Sequence, residues 1–225
     1  MTSIYQRALG SEFDRLHPKM QERFGFSSAD NVAAIGTGIM ETIWHGPAYT
    51  LPFLYVGAWR RILFPERGKD ISFTIENYAY QDQFGRETVT WVRKFATPRP
   101  RRFDAYMIYS EERNKIVDYL GTHQHLAVDI EMETDALGGL RIRSTAQRLY
   151  EGGIAFAFPM AFSGVADVYE RFDEERQQFR IEVNVSNPTL GPLFGYRGWF
   201  SMEWKHINSS DVPKDAKPVR EERRE

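Results

Sequence analysis

Alternation of hydrophobic and polar residues dominates the chain after residue 70. Successive strand residues point to opposite faces, so this alternation predicts strands, and polar or glycine-containing turns separate them. The runs make four predicted hairpins and a closing strand: ISFTIENYAY with RETVTWVRKF, FDAYMIYS with KIVDYLG, HQHLAVDIEME with LRIRSTAQRLY, GVADVYERF with QFRIEVNVS, and finally YRGWFSMEWKHI. The pattern predicts a mainly β fold, an antiparallel meander that forms a barrel or half-barrel of lipocalin-like character.

The first 70 residues follow other patterns. IYQRALGSEFDRLHPKMQERFG has apolar residues at helical spacing, with Gly10 and Pro18 as breaks, and predicts an N-terminal helical segment. NVAAIGTGIMETIW is apolar at both alternating sets of positions, which predicts a strand buried on both sides. The apolar run from Leu51 to Phe64 predicts one short inserted helix, mostly buried, with Pro52 in its first turn.

The end of the chain, SSDVPKDAKPVREERRE, is polar, contains prolines and has no periodicity. We therefore predict a single β-rich domain over residues 1–207 and a disordered polar tail over residues 208–225. A single barrel is ordinary for a chain of 225 residues.

Composition excludes several classes of function. The chain has no cysteine, so it has no disulfide, no thiolate metal site and no thiol nucleophile. Its formal net charge of −2 creates no global attraction for nucleic acid, and we predict no nucleic-acid partner. No run reaches the ~20 apolar residues of a membrane-spanning helix, and the first residues do not read as a signal peptide. We predict a cytoplasmic protein without a transmembrane segment and without a cofactor.

The stretch DYLGTHQHLAVDI contains two histidines, His123 and His125, on one predicted strand face with Asp129. An H-x-H pair can hold a metal, but Asp129 lies some ~13 Å further along a strand and cannot share that metal. A third ligand from a neighbouring strand, such as Glu76, Asp118 or His45, has no position fixed by the sequence. The pair lacks the fixed spacing of a metal motif, so we predict a solvated face and no metal site.

Two glycines, Gly36 and Gly38, suggest a dinucleotide-binding loop, but Glu41 occupies the position of the third glycine. We instead predict that these glycines relieve crowding at a bend in a curved strand. Glu41 and Glu76 lie within apolar strands, where a carboxylate needs a partner. Arg60, Arg61 and Arg197 are candidate partners. The basic run RKFATPRPRRF is predicted to be a solvated hairpin loop.

Two connections are unusually apolar, LPFLYVGAWRRILF and IAFAFPMAF. They are expected to close the barrel ends, to form the rim of a ligand cavity, or to make a peripheral membrane contact. The loop NPTLGPLFGYRG would add a bent rim. Tryptophans would form the apolar wall, and polar side chains would orient a polar head of the ligand. The candidate ligand-binding residues are Trp44, His45, Tyr78, Trp91, His123, His125, Tyr196 and Arg197.

Five phrases together resemble a bacterial family, the domain of unknown function 4166. They are LGSEFDRLHPKMQERFG, GTGIMETIWHGP, FTIENYAYQDQFGRETVTWVRKF, DYLGTHQHLAVDI and GPLFGYRGWF. The resemblance extends from about Ile4 to Trp204. It implies one complete domain, similar to the C-terminal part of the membrane protein YndJ but without membrane segments. It implies no reaction, cofactor or catalytic residue.

The predicted function is therefore binding of a small apolar or lipid-like ligand inside the barrel, because barrels of about eight or more strands can hold one small ligand. The first alternative is an enzyme that uses the same cavity, with His123 or His125 as general base or metal ligand and a carboxylate as partner. The second alternative is a protein-interaction module with a filled core.

Overall fold

A computed structural model describes residues 1–159 and 163–225. The described residues form three α-helices and eleven strands, together with short 3-10 helices. The helices are α1 (Ile4–Leu9), α2 (Pro18–Phe24) and α3 (Leu51–Arg60). The strands are β1 (Val32–His45), β2 (Gly68–Gln81), β3 (Glu87–Phe95), β4 (Arg101–Ser110), β5 (Lys115–Leu120), β6 (Leu126–Thr134), β7 (Leu140–Glu151), β8 (Ile154–Ala157), β9 (Val165–Asp173), β10 (Gln178–Asn187) and β11 (Gly191–His206).

Ten of these strands form a closed antiparallel barrel. The order β6-β5-β4-β3-β2-β1-β11-β10-β9-β7 ends in strands that also pair with each other, because β6 pairs with β7. The short strand β8 pairs only with β7 and lies outside the ring. The predicted barrel, its four hairpins, the N-terminal helical segment and one short inserted helix are confirmed.

The long strand β1 begins the barrel between β2 and β11, and its glycines allow a close approach of neighbouring side chains. A Cβ on Gly36 would lie 2.6 Å from a side-chain atom of Ile75 and 2.8 Å from one of Phe200. A Cβ on Gly38 would lie 1.9 Å from the carbonyl oxygen of Trp199. Glycine at both positions therefore relieves crowding within a continuous strand, and no phosphate-binding turn is present there.

The N-terminal helices fill one end of the barrel, here called the closed end. Tyr5 and Phe24 are almost fully buried, and the Tyr5 hydroxyl accepts a hydrogen bond of 2.8 Å from the indole nitrogen of Trp91. Arg23 of α2 enters the barrel and forms an ion pair with Glu170 of β9; both side chains are almost fully buried. The N-terminal helical segment also contacts the strand turns at this end through ion pairs and a main-chain hydrogen bond. These turns are residues 111–114, 135–139 and 174–177.

The opposite end, here called the open end, carries the connections of residues 46–67, 96–100, 121–125, 188–190 and the described part of 152–164. Helix α3 lies there, and the sequence-based expectation of a mostly buried helix is wrong. Only Leu54 of α3 is buried, while Val56 and Trp59 are 65% and 73% exposed. The helix also ends at Arg60, because Arg61 adopts a left-handed conformation with φ of 58°. The apolar composition of this run predicts the helix but does not show whether other elements bury it.

The tail differs from the predicted disorder, because it packs along the outside of the barrel. Val212 and Ala216 lie in a buried cluster with Tyr78 and Tyr80 of β2. Further on, the Tyr150 hydroxyl donates a hydrogen bond of 2.9 Å to the main-chain oxygen of Glu225. Outward-facing aromatic side chains, which the sequence did not distinguish from inward ones, are thus covered by the tail. None of the described helices is long and apolar enough to cross a membrane.

Candidate functional site

A cavity of about 210 Å³ lies inside the barrel towards the open end. Its wall comes from strands β3 to β7 and β9 to β11 together with α3 and the chain that follows α3. The wall is mostly apolar. Its large apolar side chains include Trp91, Phe103, Met107, Ile142, Val168 and Val183.

Asp118 is the one carboxylate among the described residues of this wall. It pairs in register with Met107 of β4 and Val128 of β6, and both of those side chains also line the cavity. Asp118 is 7% exposed, and its Oδ1 atom has no hydrogen-bond partner among the described residues. Burial raises the pKa of the Asp118 carboxyl to about 7, although the charge of Arg93 acts in the opposite direction.

Arg93 of β3 supplies the positive charge of the cavity. Its Nε donates to the carbonyl oxygen of Phe103 at 3.4 Å, and its Nη1 donates to the Tyr196 hydroxyl at 3.3 Å. The guanidinium also lies over the Phe103 ring, 3.6 Å from its centroid. Arg93 and Asp118 both line the cavity but form no direct ion pair within 4.0 Å.

A second polar group in the wall is satisfied internally. The Gln147 amide donates to the carbonyl oxygen of Gly164 at 2.8 Å and accepts a hydrogen bond from the Ser163 hydroxyl. The Asn187 amide donates to the Ser163 carbonyl oxygen at 2.6 Å. These bonds link β7, β9 and β10 near the open end, so we interpret the group as structural.

The mouth of the cavity is apolar and lies between the two connections that the sequence singled out. Phe53 of α3 and Phe158, which follows β8, both line the cavity. Leu190, in the turn between β10 and β11, contributes to the same wall. The predicted rim IAFAFPMAF extends to residues 160–162, which lie outside the described residues.

Two of the eight predicted ligand-binding residues belong to this region. Trp91 lines the cavity. Tyr196 is buried within the barrel and contacts Arg93 without lining the cavity itself.

Four other predicted residues lie away from the cavity. Trp44 lies on the opposite face of β1 from buried Ile43 and packs against Gly195. Tyr78 lies under the tail and donates a hydrogen bond of 3.3 Å to Glu76. The remaining two are His45, which contacts Arg67 at the end of β1, and exposed Arg197 on β11.

The two predicted histidines lie in the turn of residues 121–125 rather than on a strand, because β6 begins only at Leu126. Gln124 between them has φ of 53°, and the rings of His123 and His125 stack with centroids 5.3 Å apart. His123 contacts Arg60 at 3.2 Å, and His125 contacts Glu151 at 2.7 Å. Burial and the charge of Arg60 lower the pKa of His123.

Neither histidine lines the cavity. The described residues contain no group of three or more histidine, aspartate or glutamate side chains arranged to hold a metal ion. The stacked pair therefore lies at the rim, against an arginine on each side. Arg220 of the tail approaches His125 at 3.2 Å.

None of the three candidate arginines forms an ion pair with either strand glutamate among the described residues, although the charge of Arg197, after the hydrogen bond from Arg180, contributes to lowering the pKa of Glu41. Glu41 accepts hydrogen bonds from Arg180 at 2.6 Å and from the Trp199 indole at 2.8 Å. Glu76 pairs with Lys94 at 2.5 Å. Both glutamates lie on the outer face, where neighbouring strands supply these partners.

Sequence reasoning missed both charged residues of the cavity. The sequence marks Asp118 only as a candidate metal ligand, and it places Arg93 in a basic run that is predicted to be solvated. The sequence did contain a signal for Arg93. It lies two residues from both Trp91 and Phe95 on β3, so its side chain faces the same side of the strand as these two core residues. Asp118 likewise faces the same side of β5 as Ile116. Both faces of β5 carry apolar residues, however, so the sequence does not show which face is the inner one.

A closed ten-stranded antiparallel barrel with one internal, mostly apolar cavity defines the class of protein by fold. The sequence model of the domain of unknown function DUF4166 matches residues 16–200, so the chain belongs to this family. The chain is also similar to the uncharacterized protein YndH of Bacillus subtilis (strain 168), with 37% identity over 204 residues. That alignment covers 90% of this chain and 98% of YndH.

Proposed function

We propose that the barrel binds one small lipid-like ligand, with an apolar body and a carboxylate or carbonyl head placed between Arg93 and Asp118. The observation that carries the proposal is this pair of buried ionisable side chains, Arg93 and Asp118, in a mostly apolar cavity. A buried polar atom without a partner is costly, and a ligand head supplies the missing hydrogen bonds.

The apolar part of the wall supports the ligand class. Ligand cavities are mostly apolar with a few convergent polar groups, and the cavity described here follows that composition. Phe53 and Phe158 line the mouth, so an apolar ligand would enter between aromatic side chains.

The pKa of Asp118 decides which head group fits. A carboxylate head would accept hydrogen bonds from Arg93 and from protonated Asp118. Since two carboxylates cannot both stay ionised at close range, the bound acid favours protonated Asp118. With the pKa of Asp118 at about 7, affinity for a carboxylate ligand falls as the pH rises above 7.

Titration calorimetry with octanoate and 1-octanol tests the proposal, after native mass spectrometry has identified any ligand that copurifies. We expect one octanoate per chain, and about 10- to 100-fold weaker binding in Arg93→Met, because a hydrogen bond to a charged group is lost. Binding of 1-octanol should change less. Asp118→Asn should remove the decline in octanoate affinity above pH 7.

Two further variants test whether the ligand binds in the cavity rather than on the outer surface of the barrel. Ala166→Phe places an aromatic ring in the cavity wall and should abolish binding of both probes. Asp167→Asn, the adjacent position on the outer face of β9, is the matched control and should bind as the unmodified chain does. Binding that survives Ala166→Phe, or a chain that binds neither probe, would contradict the proposal.

An enzyme remains the second candidate, and the pKa of Asp118 favours it. A carboxyl with a pKa of about 7 suits general acid–base catalysis at neutral pH. The acid or base would then be Asp118 rather than a histidine, since no described histidine lines the cavity. Activity that is lost in Asp118→Asn while ligand affinity is retained would assign proton transfer to this residue.

A further inference from the structure

Exposed apolar side chains are concentrated at the open end of the barrel. Among the described residues, seven of the twelve large hydrophobic side chains that are exposed belong to residues 49–59 or to β8. The most exposed of the seven are Trp59 at 73%, Val56 at 65% and Ile154 at 59%. Such a group is larger than the scattered apolar residues of an ordinary surface, and it indicates an interaction site.

Helix α3 has the character of an interfacial helix. The sequence LPFLYVGAW contains no charged residue, and only Leu54 of the helix is buried. Aromatic rings with a polar edge, such as those of Tyr55 and Trp59, are suited to the boundary between water and lipid. At ten residues the helix can lie in that boundary but is too short to cross a bilayer.

The connections at the open end carry a net positive charge. They contain four arginines and one glutamate, and that glutamate, Glu66, is paired with Arg101. Arg60 has no carboxylate within 4.0 Å among the described residues, and its guanidinium lies 4.0 Å from the centre of the Trp59 ring. The four arginines are Arg60, Arg61, Arg67 and Arg99.

Charge at the closed end has the opposite sign. The turns of residues 82–86, 111–114, 135–139 and 174–177 contain six acidic residues and three arginines. The molecule is therefore polarised along the barrel, although its net charge is only −2. An anionic surface would attract the apolar open end and repel the acidic closed end.

We infer that the open end, centred on α3 and β8, docks on an anionic lipid membrane. Val56 and Trp59 would enter the headgroup boundary while the arginines face lipid phosphates. Because Phe53 of α3 also lines the cavity, docking would bring the cavity mouth to the lipid surface. The docking surface consists of outward-facing side chains, so this inference goes beyond ligand binding and does not depend on it.

Vesicle co-sedimentation of the full chain tests the inference. We expect binding to vesicles of phosphatidylcholine and phosphatidylglycerol at 7:3, and little binding to phosphatidylcholine alone. The double variant Val56→Asp with Trp59→Glu should weaken binding by about tenfold or more, because it removes apolar insertion and adds negative charge. About 0.5 M NaCl should also weaken it through screening.

Leu137→Asp is the matched control, since Leu137 is 77% exposed but lies in a turn at the closed end. It should bind vesicles as the unmodified chain does. Failure of the unmodified chain to bind the mixed vesicles, or an equal loss in Leu137→Asp, would overturn the inference. So would a dimer in solution that the double variant dissociates, because the patch would then be a contact between two copies.

Ligand binding and membrane docking can be tested independently, because each proposal has a variant that should not affect the other. Asp118→Asn should bind vesicles normally, since Asp118 lies inside the barrel. The double variant should bind octanoate normally in the absence of vesicles, because neither substituted side chain lines the cavity.

Discussion

The two ends of the barrel each contain an inward-facing arginine and an inward-facing acid, but in opposite arrangements. At the closed end, Arg23 and Glu170 form a direct buried ion pair, and Arg23 also donates to Asn77 at 2.9 Å. Towards the open end, Arg93 and Asp118 both line the cavity without forming an ion pair within 4.0 Å, and Oδ1 of Asp118 has no hydrogen-bond partner among the described residues. Burial alone therefore does not distinguish a structural charge from a functional one. The two ends differ instead in the cavity, which Arg93 and Asp118 line and which has no counterpart at the Arg23–Glu170 ion pair among the described residues.

The two ends differ because α2 enters the barrel at the closed end, whereas α3 does not enter it at the open end. Met20 and Phe24 of α2 fill the closed end of the barrel around Arg23, so each charge there is surrounded by side chains. The open end has no such plug among the described residues, because most of α3 projects outwards. The same barrel is thus a packed core at one end and a candidate binding site at the other.

The largest expected effect comes from breaking the ion pair at the closed end. Arg23→Met should lower the free energy of unfolding by about 3–5 kcal/mol, because it leaves the Glu170 carboxylate buried and unpaired. Arg93→Met should cost clearly less, about 1 kcal/mol, since Arg93 has no direct ion pair with Asp118 and loses only its hydrogen bonds to Phe103 and Tyr196. Urea denaturation at pH 7 measures both. Equal losses in the two variants would remove the distinction between the ends.

Stability at different pH values sharpens the comparison next. Burial raises the pKa of Asp118 in the folded chain from the ordinary 3.8 to about 7. The unfolded chain therefore loses this proton first, and the stabilisation that is present below pH 3.8 is lost as the pH rises through 7. This rise in pKa corresponds to at most about 4 kcal/mol.

Thermal or urea unfolding of the unmodified chain and of Asp118→Asn, between pH 5 and 8.5, measures this effect. The unmodified chain should become less stable than Asp118→Asn as the pH rises, with Asp167→Asn as a control that follows the unmodified chain. A constant difference between the chain and Asp118→Asn across this range would show that Asp118 has an ordinary pKa.

Much of the fold was predictable because its signals are local. Alternation over each strand and the turn between two strands fix a hairpin without distant information, and Gly85 has the positive φ of 76° that its turn requires. Closure was less certain from sequence, since it depends on the pairing of the first strand, β1, with the last strand, β11, across the whole chain.

The candidate site was largely unpredictable for a related reason. The residues of β5 are apolar on both faces, since Ile116 faces the inner core and Val117 faces a cluster under the tail. The strand itself therefore gives no sign of the direction in which Asp118 points. Only its neighbours Met107 and Val128, known from the register, place it inside. The histidines were more conspicuous but lie at the rim.

The smallest expected effect concerns the tail, which extends the contrast between covered and exposed residues to the outer surface. Val212 is 5% exposed against β2, whereas Val219 is 76% exposed next to the open-end turn of residues 121–125. Val212→Ala should lower the free energy of unfolding by about 1–2 kcal/mol, because it removes two buried methyl groups. Val219→Ala should leave it unchanged. If neither substitution changes the urea midpoint, the tail does not pack in solution, and Tyr78 and Tyr80 would then be an exposed outer face of the barrel.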